Sequence, residues 1–195
     1  MLFSSTIFLF LFLPTVLIVY YLLPRSFRNG WLLVTSLFFY AFGEPRFALL
    51  MLLSVTINYF FALFVDLYRH RIGVKWIMFS MIAVNLGLLG WFKYSGFFVR
   101  SVNETFGLGW FVPEVVLPLG ISFYTFHAMS YVIDIYKGKE AVQKNPLDLA
   151  LYIAFFPQLV AGPIVRYNTI ASQIESREET VSDFARGVRR FTIGL

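Results

Sequence analysis

The sequence contains no cysteine and only two histidines, at positions 70 and 127. The absence of cysteine excludes disulfide crosslinks, thiol nucleophiles and cysteine-ligated metal sites. Because neither histidine has a suitably spaced carboxylate partner, we expect no metal site. Charged residues are also scarce, at 14% of the chain, which is too little polar material to cover the surface of a water-soluble domain.

Two common catalytic patterns are missing as well. Gly107 and Gly109 do not belong to a G-x-G-x-x-G phosphate loop that follows a strand. Ser122, His127 and Asp134 cannot form a hydrolase triad on one helix, because Ser122 points about 140° away from His127. The sequence therefore gives no indication of a nucleotide loop or a serine-hydrolase site.

Apolar and aromatic residues dominate what is present. They make up 58% and 20% of the 195 residues, with 24 phenylalanines, and the mean hydropathy is +0.72. Such values are typical of membrane proteins, so we predict an all-α, polytopic transmembrane helical bundle. The net charge of +5 is then loop charge that orients the chain in lipid, and no nucleic acid is expected as a partner.

The predicted spans can be placed by hydropathy. Five apolar segments are long enough, or nearly so, to cross a bilayer: 6–23, 28–42, 47–65, 76–92 and 115–136. The first has no basic leader and no cleavage site, so we expect it to stay as an anchor. A sixth segment, 149–165, is interrupted by Pro157, Gly162 and Pro163. It either spans the membrane or is re-entrant, which requires protein or water around its broken backbone.

Lysine and arginine are concentrated in every second connection between the predicted spans. The odd connections carry Arg25, Arg28, Arg69, Arg71, Lys75, Lys137, Lys139 and Lys144, and the even ones carry Arg46, Lys93 and Arg100. Because cytoplasmic loops hold the excess of positive charge, we predict that the N-terminus is outside. A re-entrant 149–165 segment keeps the basic tail cytoplasmic, consistent with the same rule.

The tail has an amphipathic pattern over 180–195. Apolar residues recur at helical spacing, namely Val181, Phe184, Val188, Phe191 and Leu195. Thr180 and Asp183 predict a capping box at the start. The helix either packs on the bundle or lies in the cytoplasmic interface of the membrane. Because the pattern has not ended at Leu195, we expect this chain to be the N-terminal part of a longer protein.

A polar stripe runs through the segment 115–136. At about 100° per residue, one narrow face carries Gly120, Tyr124, His127, Tyr131 and Asp134. The remaining surface carries Phe126, Met129, Val132 and Ile133, which we expect to face lipid. An unpaired ionisable group in a membrane costs about 3 kcal/mol or more, so we predict that the stripe faces a cavity inside the bundle.

Other polar residues within the apolar segments have simpler expected roles. We expect Asp134 to pair with Lys137 or Lys139 at the cytoplasmic boundary, although it could instead shape an entry for a substrate. Asn58 and Asn85 each lie near the middle of a span, where interhelical hydrogen bonding is the usual role.

Three motifs in order, WFKYSGFF, LPLGISFYTFHAMSYVIDIYKG and FFPQLVAGPIVRY, carry a family resemblance. The chain resembles the N-terminal part of the membrane-bound O-acyltransferases, in the bacterial branch that includes alginate O-acetyltransferase. The resemblance implies a multi-pass enzyme of the bacterial inner membrane. It implies transfer of an acyl group, here acetyl, from acetyl-CoA or another acyl thioester to hydroxyls of an exported polysaccharide such as alginate.

The same resemblance implies the ligands and partners of the protein. It implies that no cofactor is bound and that the acyl donor is a substrate. The implied partners are membrane lipids and proteins of polysaccharide acetylation or export. The family's catalytic histidine is expected beyond Leu195, so no catalytic residue is assigned here and the fragment is expected to be inactive alone. Candidates for lining the acyl pathway are Tyr124, His127, Tyr131, Asp134, Gln158 and Arg166.

Alternatives to this interpretation stay open. His127 is either a buried structural hydrogen-bonding residue or a direct participant in the acyl pathway. The whole protein is alternatively a transporter or flippase-like protein whose stripe guides a solute. A third hypothesis is a non-catalytic scaffold of a polysaccharide-export complex.

Overall fold

The computed structural model describes residues 5–159, 165–177 and 179–194, except for the side chain of Glu175. Within these ranges the chain forms helices and no strand, so the predicted all-α class is confirmed. A π-helical turn at Phe8–Phe12 precedes α1 (Leu13–Leu22), α2 (Arg25–Gly43), α3 (Pro45–Leu67), α4 (Val74–Phe106) and α5 (Ile121–Tyr136). Then follow α6 (Pro146–Ala154), α7 (Phe156–Leu159), α8 (Tyr167–Glu175) and α9 (Val181–Gly194).

Two of the described helices, α3 and α4, are long and apolar enough to cross a bilayer. Their most apolar 18-residue stretches have mean hydropathies of 2.2 and 1.5. The segment Phe8–Leu22 is a shorter apolar helix, and α5 has 16 residues, about 24 Å. The number of crossings predicted from the sequence therefore stays a prediction.

Helix α4 is much longer than the predicted segment 76–92. It continues through Lys93 and Arg100, which lie on the helix and not in a connection, and it ends at Phe106. Falling hydropathy does not stop a helix, whereas Gly107 does, because its φ of 65° places it in the left-handed region that glycine adopts without strain. The connection that follows, 107–120, contains no lysine or arginine.

Helix α5 is shorter than the predicted segment 115–136. It begins at Ile121, so the residues from Val115 to Gly120 are not helical. Pro118 has no N–H to donate, and Gly120 has a φ of 72°, which is left-handed and outside the helix. The apolar run therefore combines an extended connection with a helix.

The predicted break near Pro157 is present within the described residues. α6 ends at Ala154, Phe155 is not helical, and α7 restarts at Phe156. Because proline lacks an N–H and its ring collides with the carbonyl four residues earlier, Pro157 cannot continue α6. Gly162 and Pro163, the other predicted breaks, lie outside the described residues.

Helix α3 is the centre of the packing. It contacts α2, α4, α5 and α6, and α2 also packs along α6. The predicted interhelical bonding of Asn58 and Asn85 is confirmed, because the two buried amides exchange hydrogen bonds of 3.0 and 2.9 Å between α3 and α4. Each amide also donates to the carbonyl four residues earlier, so both N–H groups of each amide have an acceptor within α3 and α4.

Helix α9 lies at the edge of the molecule. The N-cap half of its predicted capping box is confirmed, because the Asp183 N–H donates to the Thr180 hydroxyl at 3.1 Å. The Asp183 carboxylate accepts from that hydroxyl, whereas a full box would have it accept from the Thr180 N–H. All of its described residues are exposed. Its apolar side faces the π-helical turn, α1 and α7 across a cleft of about 590 Å³, so the helix is not tightly packed on the bundle.

Candidate functional site

The polar stripe of α5 is buried. Tyr124, His127 and Tyr131 have no exposed surface, and Asp134 is 6% exposed. The reason is the position of α5, which packs against α3, α4 and α6. The stripe therefore lies in the interior of the protein.

The opposite side of α5 is less exposed than predicted. Phe126 is exposed, as expected for a residue that faces lipid. Met129 and Val132 are buried, so the expectation that they face lipid is wrong. A helix with several neighbours is covered on more than one face, which periodicity alone does not reveal.

Several buried polar atoms of α5 have no hydrogen-bond partner in the described part of the chain. They are the Tyr124 hydroxyl, the Thr125 hydroxyl and both ring nitrogens of His127. An unsatisfied polar group inside a protein costs about 1–3 kcal/mol, so folding leaves these atoms with unused binding capacity. Hydroxyls and a neutral imidazole both donate and accept, so they can orient a hydroxyl or a carbonyl group.

Three tyrosines from three helices meet beside His127. The ring centroids of Tyr131 and Tyr167 are 5.0 Å apart, and those of Tyr152 and Tyr167 are 5.2 Å apart. The His127 ring lies 5.7 Å from that of Tyr152. We call Tyr131, Tyr152 and Tyr167 the tyrosine cluster.

Hydrogen bonds fix the tyrosine cluster to the connection between α5 and α6. The Tyr131 hydroxyl accepts from the Gln143 N–H at 2.8 Å, and the Gln143 amide donates to the Tyr167 hydroxyl at 2.9 Å. The Tyr152 hydroxyl donates to the Val165 carbonyl at 2.8 Å. Sequence analysis missed Tyr152, Tyr167 and Gln143, because only tertiary packing brings them to α5.

The backbone just before α5 is held by hydrogen bonds to side chains at the end of α2. The Tyr40 hydroxyl donates to the Leu119 carbonyl at 3.0 Å, and the Leu119 N–H donates to the Glu44 carboxylate at 2.9 Å. A Cβ on Gly120 would lie 2.8 Å from the Leu159 carbonyl oxygen. Only glycine allows α7 to approach α5 this closely.

The other end of α5 differs from the prediction. No ion pair joins Asp134 to Lys137 or Lys139, all of which are described, so the expected pairing is wrong. The Arg69 guanidinium donates to the Ile135 carbonyl at 2.6 Å instead. A cation at the C-terminal end of a helix satisfies free carbonyls and favours the helix dipole.

A cavity of about 220 Å³ with a mixed, mainly apolar lining lies between α2, α6, α7 and α8. Gln158 and Tyr152 line it, and the Gln158 side-chain oxygen is buried without a partner among the described residues. Because Tyr152 also contacts His127, it connects the cavity to the stripe. Arg166 is exposed at the start of α8, so the structure does not bring it together with these residues.

Asn29 joins the two ends of the α6–α8 segment. Its amide donates to the Asp148 carboxylate at 2.8 Å, at the start of α6, and to the Ile174 carbonyl at 2.9 Å, at the end of α8. Arg177, just beyond α8, donates to the Asn29 side-chain oxygen. The chain therefore enters and leaves this segment at one end of the bundle.

Glu179 ties the connection before α9 to the first helices. Its carboxylate accepts from the Tyr20 hydroxyl and forms a 2.6 Å ion pair with Arg28. Partial burial opposes ionisation, but the hydrogen bonds from Tyr20 and Arg28 outweigh it and lower the pKa of the Glu179 carboxyl below its ordinary value. The ionised carboxylate thus stabilises this tether.

In the ranges 5–159, 165–177 and 179–194, no three histidine, aspartate or glutamate side chains are placed to hold a metal ion.

Comparison with known proteins gives several relatives over the whole chain. The chain is 42% identical over 201 aligned residues to the probable alginate O-acetylase AlgI of Pseudomonas aeruginosa, covering 100% of this chain and 38% of that protein. It is 40% identical to the corresponding protein of Azotobacter vinelandii, covering 100% of this chain and 40% of that protein. A peptidoglycan O-acetyltransferase of Helicobacter pylori is 32% identical, with 100% and 43% covered.

The chain spans about two fifths of the length of these curated relatives. No protein-family profile matches it. No solved structure matches it either.

Proposed function

Since this chain belongs to the membrane-bound O-acyltransferase family, we propose that it forms part of an enzyme that acetylates an exported polysaccharide such as alginate. The observation that supports this most is the 42% identity to an alginate O-acetylase across the entire chain. In the proposed reaction, a polysaccharide hydroxyl attacks the carbonyl carbon of an acyl thioester. The C–O ester bond forms, the C–S bond breaks, and the hydroxyl proton ends on the released thiol.

The part assigned to this chain is a wall of the acyl pathway. The unpartnered hydroxyl of Tyr124 and the imidazole of His127 can orient a hydroxyl or a carbonyl in a site from which the surrounding helices exclude bulk water. Tyr131 lies one helical turn after His127, and its hydroxyl is held in place by the hydrogen bond that it accepts from the Gln143 N–H. No residue of this chain is assigned the general base.

We place the chain in the bacterial inner membrane as a multi-pass protein with its N-terminus outside. Support comes from the charges, because the connection 107–120 carries no basic residue. Arg69 and Arg71 lie in the connection between α3 and α4, the two helices long enough to span. The positive-inside rule then puts the α3–α4 connection in the cytoplasm.

We further propose that the segment from α6 to α8 is re-entrant. The Asn29 hydrogen bonds support this, since they hold the start of α6 and the end of α8 at the same end of the bundle. The 14 residues from Pro146 to Leu159 would extend only about 21 Å as a helix, less than the roughly 30 Å of hydrocarbon. At the break before Pro157, Phe156 is buried and its N–H donates to the Ser36 hydroxyl of α2 at 3.2 Å.

Isotope-labelled acyl transfer tests the enzyme class. The native protein that contains this chain, purified in detergent, is expected to move label from an acetyl thioester to the polysaccharide. A transporter or a scaffold would bind or move polysaccharide without forming a labelled ester. Absence of transfer with a competent donor and acceptor would refute the proposed activity.

Substitutions on α5 test the role of the stripe. Tyr124→Phe, His127→Leu and Tyr131→Phe are each expected to lower polysaccharide acetylation in cells about ten-fold or more at equal membrane abundance, the scale of one hydrogen bond to a reacting group. Phe126→Leu, on the exposed side of the same helix, is the control and should retain activity. Normal acetylation in all three stripe variants would remove the stripe from the mechanism.

The substitution His127→Gln separates two roles of His127. Glutamine keeps hydrogen-bonding groups but cannot exchange a proton near neutral pH. If His127 only positions other groups, His127→Gln restores acetylation that His127→Leu loses. If His127 transfers a proton, both variants are equally inactive.

A further inference from the structure

Helix α4 is longer than a membrane crossing requires. Its 33 residues extend about 50 Å, against roughly 30 Å of hydrocarbon. In the membrane arrangement proposed above, α4 starts at the cytoplasmic side, so its C-terminal third lies at the membrane–water interface on the opposite, external side of the inner membrane. The connection 107–120 begins there.

Exposed aromatic side chains surround this third of α4 and the connection after it. They include Trp91, Tyr94, Phe97, Phe98, Trp110 and Phe111. Trp and Tyr in such a position are typical of the interface, where a ring contacts both acyl chains and headgroups. The molecules that approach this surface are therefore membrane lipids.

A cleft of about 630 Å³ opens within this aromatic surface, between α4 and residues 113–116. Lys93 and Arg100 line it on one face of α4, two helical turns apart. The Arg100 side chain folds back toward Lys93, because its Nη2 atom lies 3.8 Å from where a Cβ on Gly96 would be. Neither cation forms an ion pair among the described residues.

The cleft also contains a carboxylate. Glu114 lies in the wall opposite the two cations and is exposed. Two cations and one carboxylate complement a group that carries both a phosphate and a primary ammonium.

Protein contacts hold the walls of the cleft in place. The Asn103 side chain accepts from the Trp110 N–H at 3.0 Å and donates to the Trp110 carbonyl at 2.8 Å. The Pro113 carbonyl comes within 3.2 Å of where a Cβ on Gly96 would be, an approach that a larger residue would obstruct. The site is therefore formed before a lipid arrives, which reduces the cost of binding.

We propose that this cleft binds the headgroup of phosphatidylethanolamine. The phosphate lies between Lys93 and Arg100, and the ammonium lies against Glu114. The proposal depends on the membrane placement of α4 given under the proposed function, but not on acyl transfer.

Lipid retention tests the proposal. The protein is reconstituted into vesicles with equal amounts of phosphatidylethanolamine, phosphatidylglycerol and phosphatidylcholine and then re-extracted, and the retained lipids are counted by mass spectrometry. We expect about ten-fold enrichment of the ethanolamine lipid over the choline lipid, the scale of one charge-assisted hydrogen bond. Lys93→Gln and Arg100→Gln should each reduce all retained phospholipid about ten-fold. Lys75→Gln, an exposed cation at the other end of α4, is the matched control.

Variants of Glu114 test selectivity separately from affinity. Glu114→Gln should keep retention but remove the preference for ethanolamine over glycerol, and Glu114→Lys should reverse it toward the anionic lipid. Equal retention of the three lipids by the native protein, or no response to either Glu114 variant, overturns the proposal. Displacement of the lipid by a soluble oligouronate would assign the cleft to an acidic polysaccharide and overturn it too. Failure to insert into vesicles at all contradicts the membrane placement itself.

Discussion

Alanine at Gly120 should destabilise the protein more than alanine at Gly107. Both residues have left-handed backbones, with φ of 72° and 65°, so a side chain costs about 1–2 kcal/mol at either position. Only at Gly120 would the new Cβ collide, at 2.8 Å from the Leu159 carbonyl oxygen, whereas no described atom lies within 4 Å of the Gly107 position. Relieving that contact requires a shift of about 0.5 Å between α5 and α7, and such overpacking costs about 1–3 kcal/mol.

The expected total loss is therefore about 2–5 kcal/mol for Gly120→Ala and about 1–2 kcal/mol for Gly107→Ala. Equilibrium unfolding in detergent micelles, followed by circular dichroism, measures both. Gly138→Ala is a second control, because its φ is 70° and its nearest neighbour is the Arg69 guanidinium at 3.9 Å. If the free energies of unfolding of the Gly120 and Gly107 variants agree within about 0.5 kcal/mol, the close packing of α7 on α5 is refuted.

Three further predictions concern hydrogen bonds elsewhere in the chain. Asn58→Ala removes both hydrogen bonds between the two amides and leaves the buried side-chain oxygen of Asn85 without a donor, so it should cost about 1–3 kcal/mol, whereas leucine at both positions should recover most of this. A double-mutant cycle in thermal unfolding checks it, and simple additivity would contradict the pairing. Tyr131→Phe removes the acceptor of a backbone N–H in the α5–α6 connection, so mass spectrometry should show faster hydrogen exchange there and unchanged exchange in α4. Because the pKa of the Glu179 carboxyl is lowered in the folded protein, its stabilising effect is complete above its ordinary pKa near 4.3 and is lost as pH falls through the lower folded value. The unfolding midpoint of the native protein should therefore fall below about pH 4.3 more steeply than that of Glu179→Gln, and parallel curves would show that the Arg28 tether does not depend on ionisation.

Composition and periodicity were enough for the helical class and for the burial of the α5 stripe. A side chain such as His127 within an apolar helix has few alternatives to an inward position. The N-cap hydrogen bond of Thr180 was also predictable, because it depends only on residues three positions apart. Hydropathy did not predict the helix ends. It placed the end of α4 before Lys93, whereas the helix continues to Phe106 and ends where Gly107 adopts a left-handed backbone.

The partners of the stripe could not be predicted from one sequence. Tyr152 and Tyr167 reach Tyr131 from separate helices, and their own segments show no polar periodicity. The role of Arg69 was also missed, because a cation between two spans is first explained by the positive-inside rule and not by a carbonyl at the end of another helix. Local patterns define which face of a helix is buried, but tertiary packing decides what meets it.

The grip on Leu119 has a mechanical consequence. Its N–H and its carbonyl belong to the peptide groups before and after its Cα, and both are bound by side chains at the end of α2, so neither peptide group can rotate without breaking a hydrogen bond. A displacement of residues 107–118 is therefore passed directly to the first turn of α5 and the last turn of α2. The long connection is thus mechanically coupled to the interior of the bundle.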